Sequence, residues 1–458
     1  MIENDAFKLL LINLFHLNPD DIANILCTTF NKMMVLVVTL TDKHQACPYC
    51  GFTAPKIKEY VTKEITHSAL TTQKCIIKYR ARRYKCSCCG KTYYEFNPFV
   101  FKSQKISILT VHNILKDLKD FNETFTSVAR RYHVSPTSVS TIFDNHVDIG
   151  RNPLPEIINF DEVYAFKSEK SKYVCVILDF KKQIPVDILP NRKKEYLLNY
   201  FQKIPLEERK KVKYACSDMY EVYRDVVHKV FPSCCMLLDY FHLSQDFHRK
   251  MNEVRIKVMK GYKDNKASDE YYLLKKFNWL LFKNPEDEDK YGRLFDVERE
   301  RKYNSHFKSY MNYYDLRKKI LEINNDLTIC YSLKLELVDF YSKSTIDNAK
   351  VNLENLIRSC IDTNIDEMIA FSNNLINWKQ EIINSFTIVG TEYKVEADKG
   401  QVVVCNKKVN NAIIENRNKI IKCIKNNANG YTNWPRFRNR VMYVLDPNAT
   451  FSLEPREK

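Results

Sequence analysis

The sequence predicts a multidomain α/β protein with an N-terminal zinc-binding module and a helix-turn-helix, followed by a strand-rich core and long helical stretches. Three observations carry this. Two C-x-x-C-G knuckles stand near the N-terminus, at Cys47/Cys50 and Cys86/Cys89. A helix-turn-helix grammar follows over residues 124–143. Beyond residue 156, four apolar runs each finish in an aspartate.

Residues 1–40 are expected to form a helical and strand segment, and residues 41–100 the zinc-binding module. Four thiolates in two C-x-x-C pairs suit a closed, tetrahedral, structural zinc site. The gap between Cys50 and Cys86 is longer than a zinc ribbon usually has, so a β-hairpin is expected inside it. Most of the other cysteines stand singly in apolar context and read as small buried hydrophobes rather than disulfide partners. Lys78, Arg80 and Arg82 alternate along residues 75–84, giving one charged strand face suited to phosphates. A solvated edge strand has the same pattern.

Residues 101–150 are expected to hold the helix-turn-helix. Ala129 permits a close crossing, Val134 fills the turn, and Ser135 caps the second helix with Pro136 at its first position. Val139 and Ile142 then face inward, leaving Thr137, Ser138, Ser140 and Thr141 toward a groove.

The first apolar run holds Phe160-Asp161-Glu162; the others end at Asp179, Asp218 and Asp239. A buried carboxylate is costly unless paired or metal-bound, so acids at one sheet edge point to a divalent cation. Alternation puts Glu162 on the strand face opposite Asp161. Asp179 also reads as a turn residue. Asp239, before His242, has two readings, orienting the fold or joining the metal site. His242 itself reads as structural.

Charge agrees with a polyanionic partner. Lys+Arg number 72 against Asp+Glu 56, a net charge of +16, and basic excess of this size favours nucleic acid. Only 8 glycines are present, with no G-x-G-x-x-G or Walker pattern, which argues against a Gly-rich nucleotide loop. No run reaches the roughly 18 apolar residues of a membrane span. Glu3 and Asp5 make the N-terminus a poor signal peptide.

The order of these motifs, with Ser217-Asp218-Met219-Tyr220, Leu238-Asp239-Tyr240-Phe241-His242, residues 414–422 around Glu415, and Arg436-Phe437-Arg438-Asn439-Arg440, resembles insertion-sequence transposases of the ISL-three family. The resemblance runs from about Cys47 to Tyr443 and is thin between Lys250 and Val404. It implies an RNase H-like catalytic core with an Asp-Asp-Glu triad, carried over as Asp161, Asp218 and Glu415. The core would span residues 151–250 and finish with a helix and tail at 405–458. A helical insertion, 251–404, would interrupt it. Three such carboxylates can hold two Mg²⁺ (or Mn²⁺) ions, one activating the attacking oxygen and one stabilising the leaving oxygen. On the last helix Glu415, Lys419 and Lys422 recur at i, i+4, i+7, offering a carboxylate followed by phosphate-binding ammoniums. The implied partner is double-stranded DNA, both transposon ends and target, bound by a homodimer or higher oligomer in a cytoplasmic, nucleoid-associated setting with no membrane. The alternative is a DNA-binding regulator or transposase relic without catalysis; all three carboxylates in their motifs favour the enzyme.

Overall fold

The computed structural model describes residues 2–43, 45–53, 55–101, 104–167, 171–395 and 402–456. Helix α1 (Ile2–Leu14) precedes β1 (Ile22–Phe30), β2 (Met33–Leu40), β3 (Lys56–Thr66), β4 (Cys75–Lys85) and β5 (Thr92–Tyr94). The strands form one sheet in the order β1-β2-β4-β3, with β5 also on β4. The antiparallel β3–β4 pair is the hairpin expected between the knuckles. The boundary expected at residue 40 does not separate two units, because β2 pairs in parallel with β4 and Leu11, Phe15, Leu36, Ile77 and Tyr79 share one core. β-Branched and aromatic residues on one strand face make that core in the usual alternating way.

Helices α2 (Ile108–Asp117), α3 (Phe125–Arg131) and α4 (Pro136–His146) follow. Their core includes Val111, Leu115, Val128, Ala129, Val139 and Phe143. Between α3 and α4, His133 takes φ 53°, so the chain reverses within a few residues. Ser135 caps α4, its hydroxyl accepting from the Ser138 amide at 3.0 Å.

The central sheet is built from β6 (Ile157–Val163), β7 (Val174–Asp179) and β8 (Pro185–Leu189), then, after α5 (Lys194–Gln202) and α6 (Leu206–Arg209), β9 (Tyr214–Ser217), and, after α7 (Glu221–Val230), β10 (Cys235–Leu238). The strand order is β10-β9-β6-β7-β8, with β6 antiparallel to β7 and parallel to β9. Both faces are covered, which is why these strands read as unbroken apolar runs. Leu197, Phe201, Tyr223 and Val227 of α5 and α7 pack on one face.

Helix α8 (Tyr240–Lys260) leaves β10 and runs straight through the boundary expected at residue 250. It opens a helical body of α9 (Asp269–Lys276), α10 (Tyr313–Glu322), α11 (Asn325–Lys343), α12 (Ala349–Asp362), α13 (Asp366–Asn377) and α14 (Lys379–Asn384). These share one core, from Leu243 and Phe247 to Phe371 and Trp378. The chain returns through a hairpin of residues 388–395 and 402–408 to α15 (Ala412–Asn427) and α16 (Trp434–Leu445). Ile414, Ile421, Phe437 and Val441 close the second face of the central sheet. Among the described residues no helix is long and apolar enough to cross a membrane.

Candidate active site

Strand β6 sorts its side chains by parity. Ile158 and Phe160 enter the α5–α7 layer, whereas Val163 lies in the α15–α16 layer. Glu162 follows the first group: its carboxylate pairs with Arg192 and accepts from the Tyr223 hydroxyl at 3.1 Å. Asp161 follows the second, its Oδ2 accepting from the Asn418 amide of α15 at 2.7 Å. The register Asn159↔Cys216, continued by two residues, sets Asp161 level with Asp218. The pairing Leu238↔Ser217 sets Asp239 beside Asp218 in the same way. Three aspartates thus meet on three adjacent parallel strands, Asp161 from within β6 and Asp218 and Asp239 from just past the ends of β9 and β10.

Glu415 reaches this edge from the first turn of α15. The start of that helix is tied down by Asn411, whose backbone amide donates to Asp239 Oδ1 at 3.2 Å and whose side-chain oxygen accepts from Asn159 at 2.7 Å. His242, on the first turn of α8, completes the group: ligand atoms of Asp239, His242 and Glu415 all lie within 4.8 Å of one another. Beside them a cleft of about 470 Å³ opens between Asp218, His242, Gln245 and Arg249.

Crowding of buried acids shows in their proton affinity. Burial, then the Asp218 charge, pushes Asp161 up to about 7, with Glu415 and Asp239 adding to it and His242 opposing. Burial likewise raises Asp218, against the pull of His242 and Arg192, and raises Asp239, against the Asn411 amide and His242. Asp218 Oδ1, Asp239 Oδ2 and His242 Nε2 are buried with no hydrogen-bond partner among the described residues. Orphaned oxygens on like-charged groups are the donor set a hard divalent cation takes. Asp179 instead accepts from the amides of Lys181 and Lys182, a turn role.

A second ligand set sits at the open end of the β3–β4 hairpin. The Cys47 and Cys89 sulfurs are 3.7 Å apart, and those of Cys50 and Cys86 3.5 Å. Tetrahedral zinc with bonds of about 2.3 Å spaces its sulfurs by about 3.8 Å. Gly51 and Gly90 take φ 75° and 70°, and their amides reach back to the Cys47 and Cys86 carbonyls. The Cys89 amide donates to the Cys86 sulfur at 3.4 Å, a contact that favours the thiolate a metal needs.

The expected DNA-facing residues divide. Arg80 is exposed, its guanidinium 4.9 Å from the Tyr60 ring, and Lys78 forms a surface pair with Glu64 at 2.8 Å. Arg82 is spent within the fold, bound to Glu95 at 2.8 Å and to the Leu40 carbonyl at 3.1 Å. Thr137 and Thr141 are exposed on α4, whereas the Ser138 hydroxyl lies 2.8 Å from that of Ser135, within the cap, and Ser140 bonds back to the Thr137 carbonyl. Lys419 and Lys422 are exposed on α15. His242, Asn418 and Asn411 emerge only with the fold. Spacing offered a signal for two: His242 is three residues after Asp239, and Asn418 three after Glu415, each one helical turn away.

Comparison with known proteins matches residues 158–397, more than half of the chain, to the transposase family of the ISL-three type. The chain belongs to that family. The match takes in Asp161, Asp218, Asp239 and His242 and ends before Glu415. This ISL-three transposase is also similar to a transposase for insertion sequence element IS1001 of Bordetella parapertussis, 19% identical over 411 residues, covering 89% of this chain and 91% of that protein.

Proposed function

We propose that the protein binds the ends of its insertion sequence through residues 47–146 and cuts and joins DNA strands at Asp161, Asp218 and Glu415. The observation that carries this is the meeting of those acids, from β6, the end of β9 and a helix, with the buried Oδ1 of Asp218 left unpaired. The mixed sheet, antiparallel over β6–β8 and parallel over β6, β9 and β10, supports the RNase H-like reading of the core. Reversal at His133 and the Ser135 cap support reading α3 and α4 as a DNA-binding helix-turn-helix.

Asp161, Asp218 and Glu415 are the residues that would hold two Mg²⁺ or Mn²⁺ ions, and such ions supply charge stabilisation to the attacking and leaving oxygens. The chain itself fixes the geometry. Asn418 holds one oxygen of Asp161, and Asn411 anchors the helix that carries Glu415. Burial of the acids keeps them in a low-dielectric setting, where charge stabilisation is stronger than in water. Cys47, Cys50, Cys86 and Cys89 hold a structural zinc ion that fixes the knuckles. Half-buried Lys78 and exposed Arg80, Lys419 and Lys422 meet phosphates, and Thr137 and Thr141 meet base edges.

The test is strand cleavage of a DNA end with Mg²⁺. Asp161→Asn, Asp218→Asn and Glu415→Gln each keep shape and remove charge; each is expected to abolish cleavage and joining while end binding survives. Normal cleavage by all three variants would overturn the enzymatic reading and leave a DNA-binding protein.

A further inference from the structure

We propose that Asp239, His242 and Glu415 form a mixed nitrogen–oxygen cation site beside the Asp161–Asp218 pair, one that takes Mn²⁺ in preference to Mg²⁺. This rests on the reading of Glu415 as a metal-holding acid and extends it to two residues outside the triad. Ligand atoms of all three residues lie within 4.8 Å of one another. Asp239 is only 3% exposed. Its Oδ1 is satisfied by the Asn411 amide, but its Oδ2 is buried without a hydrogen-bond partner, as is His242 Nε2. These two orphaned atoms face each other across 3.9 Å. That is too long for a hydrogen bond. It is within the span of two ligands each about 2.1 Å from a shared ion.

The donor set decides the ion. Mg²⁺ favours oxygen ligands in near-ideal octahedral geometry and keeps several waters. An imidazole nitrogen beside two carboxylates fits a first-row transition ion better than Mg²⁺, and Mn²⁺, though the weakest binder of that row, is the member that also suits carboxylate and water ligands. Two of the three ligands stand on well-anchored helices, with His242 one turn into the 21-residue α8 and Glu415 one turn into α15. The inward face of the site is therefore set by helices rather than by a loop.

The full-length, zinc-loaded protein is titrated with Mn²⁺ alone, without DNA, and bound Mn²⁺ is read by electron paramagnetic resonance. Wild-type protein is expected to show ¹⁴N coupling to the bound ion in the pulsed spectrum. His242→Gln should remove that coupling and weaken Mn²⁺ binding by about tenfold or more, since even groups that merely orient a ligand cost about 10–100-fold. Asp239→Asn should also weaken Mn²⁺ binding. Asp161→Asn should retain the ¹⁴N-coupled signal. Absence of ¹⁴N coupling in the wild type, or its survival in His242→Gln, overturns the proposal whatever the variants do to folding. Should Asp161→Asn cleave DNA normally, the triad reading falls while the nitrogen-coupled signal still decides this one.

Discussion

Asp161 has a folded-state proton affinity far above its ordinary value, about 7 against 3.8, and this has a stability consequence of definite sign. The folded chain binds that proton more tightly than the unfolded chain does. The stabilisation is therefore complete below about pH 3.8 and is lost as pH rises through about 7. Without added divalent cation, thermal melts of wild type should show this contribution fading between about pH 4 and pH 7. Asp161→Asn should flatten the dependence and raise stability at pH 8, by on the order of a few kcal/mol. A variant that melts lower than wild type at pH 8 would show that the acids do not repel one another as described. At this scale alternation alone separated Asp161 from Glu162, and the structure places the two on opposite faces. The fate of Arg82 was not legible, because its partner Glu95 lies on a separate segment that only the sheet brings alongside. His242 showed only its one-turn spacing from Asp239, since its orphaned Nε2 exists only once α8 and α15 converge.

Elements with local grammar were the readable ones. The α3–α4 pair, the β3–β4 hairpin and the cysteine knuckles follow from caps, spacing and alternation within short windows. Residues 365–386 show where such grammar stops. Their apolar residues recur at helical spacing, with Thr363 or Asn364 able to cap the start; α13 begins with no side-chain cap, and the stretch divides into α13 and α14 at Trp378. Two predictions belong here. Thr141→Ala should weaken binding to the specific DNA end by about 1–3 kcal/mol and leave random DNA alone; Lys78→Ala should weaken both and lower the salt slope. Equal losses on both DNAs for Thr141→Ala, measured by competition, would mean α4 does not read sequence. For the knuckles, zinc removal should raise hydrogen exchange in residues 45–53 and 84–93, because Cys47, Tyr84, Cys86 and Tyr93 form a cluster of their own. The main core of the N-terminal sheet, around Phe15, Leu36 and Tyr79, should stay protected.

Across the whole molecule, the boundaries were harder to read than the modules. The expected breaks at residues 40 and 250 fall inside a sheet and a helix, since non-local strand pairing leaves no mark in sequence. The same holds for α16, which packs on the central sheet through Phe437 and Val441 yet also enters the α2–α4 core through Tyr443. Arg440, 1% exposed, donates to the carbonyls of Asp120 and Glu123. Arg440→Met keeps the bulk and leaves the Glu123 carbonyl orphaned, at about 1–3 kcal/mol, while the Asp120 carbonyl still accepts from the Glu123 amide. It should lower the melting temperature and reduce cleavage more than end binding; unchanged melting would show that the joint carries no load.

That joint also sets a timetable for biosynthesis. The Tyr443 hydroxyl donates to the Leu115 carbonyl across 328 residues of chain. At about 5–20 residues per second, a ribosome needs roughly 15–65 seconds to travel that far. For that interval the α2–α4 unit emerges with Leu115, Phe143 and their neighbours lacking the cover of Tyr443. The nascent chain is then a natural client for chaperones that hold exposed apolar surface, and the two ends of the polypeptide come under common control only as synthesis of α16 finishes.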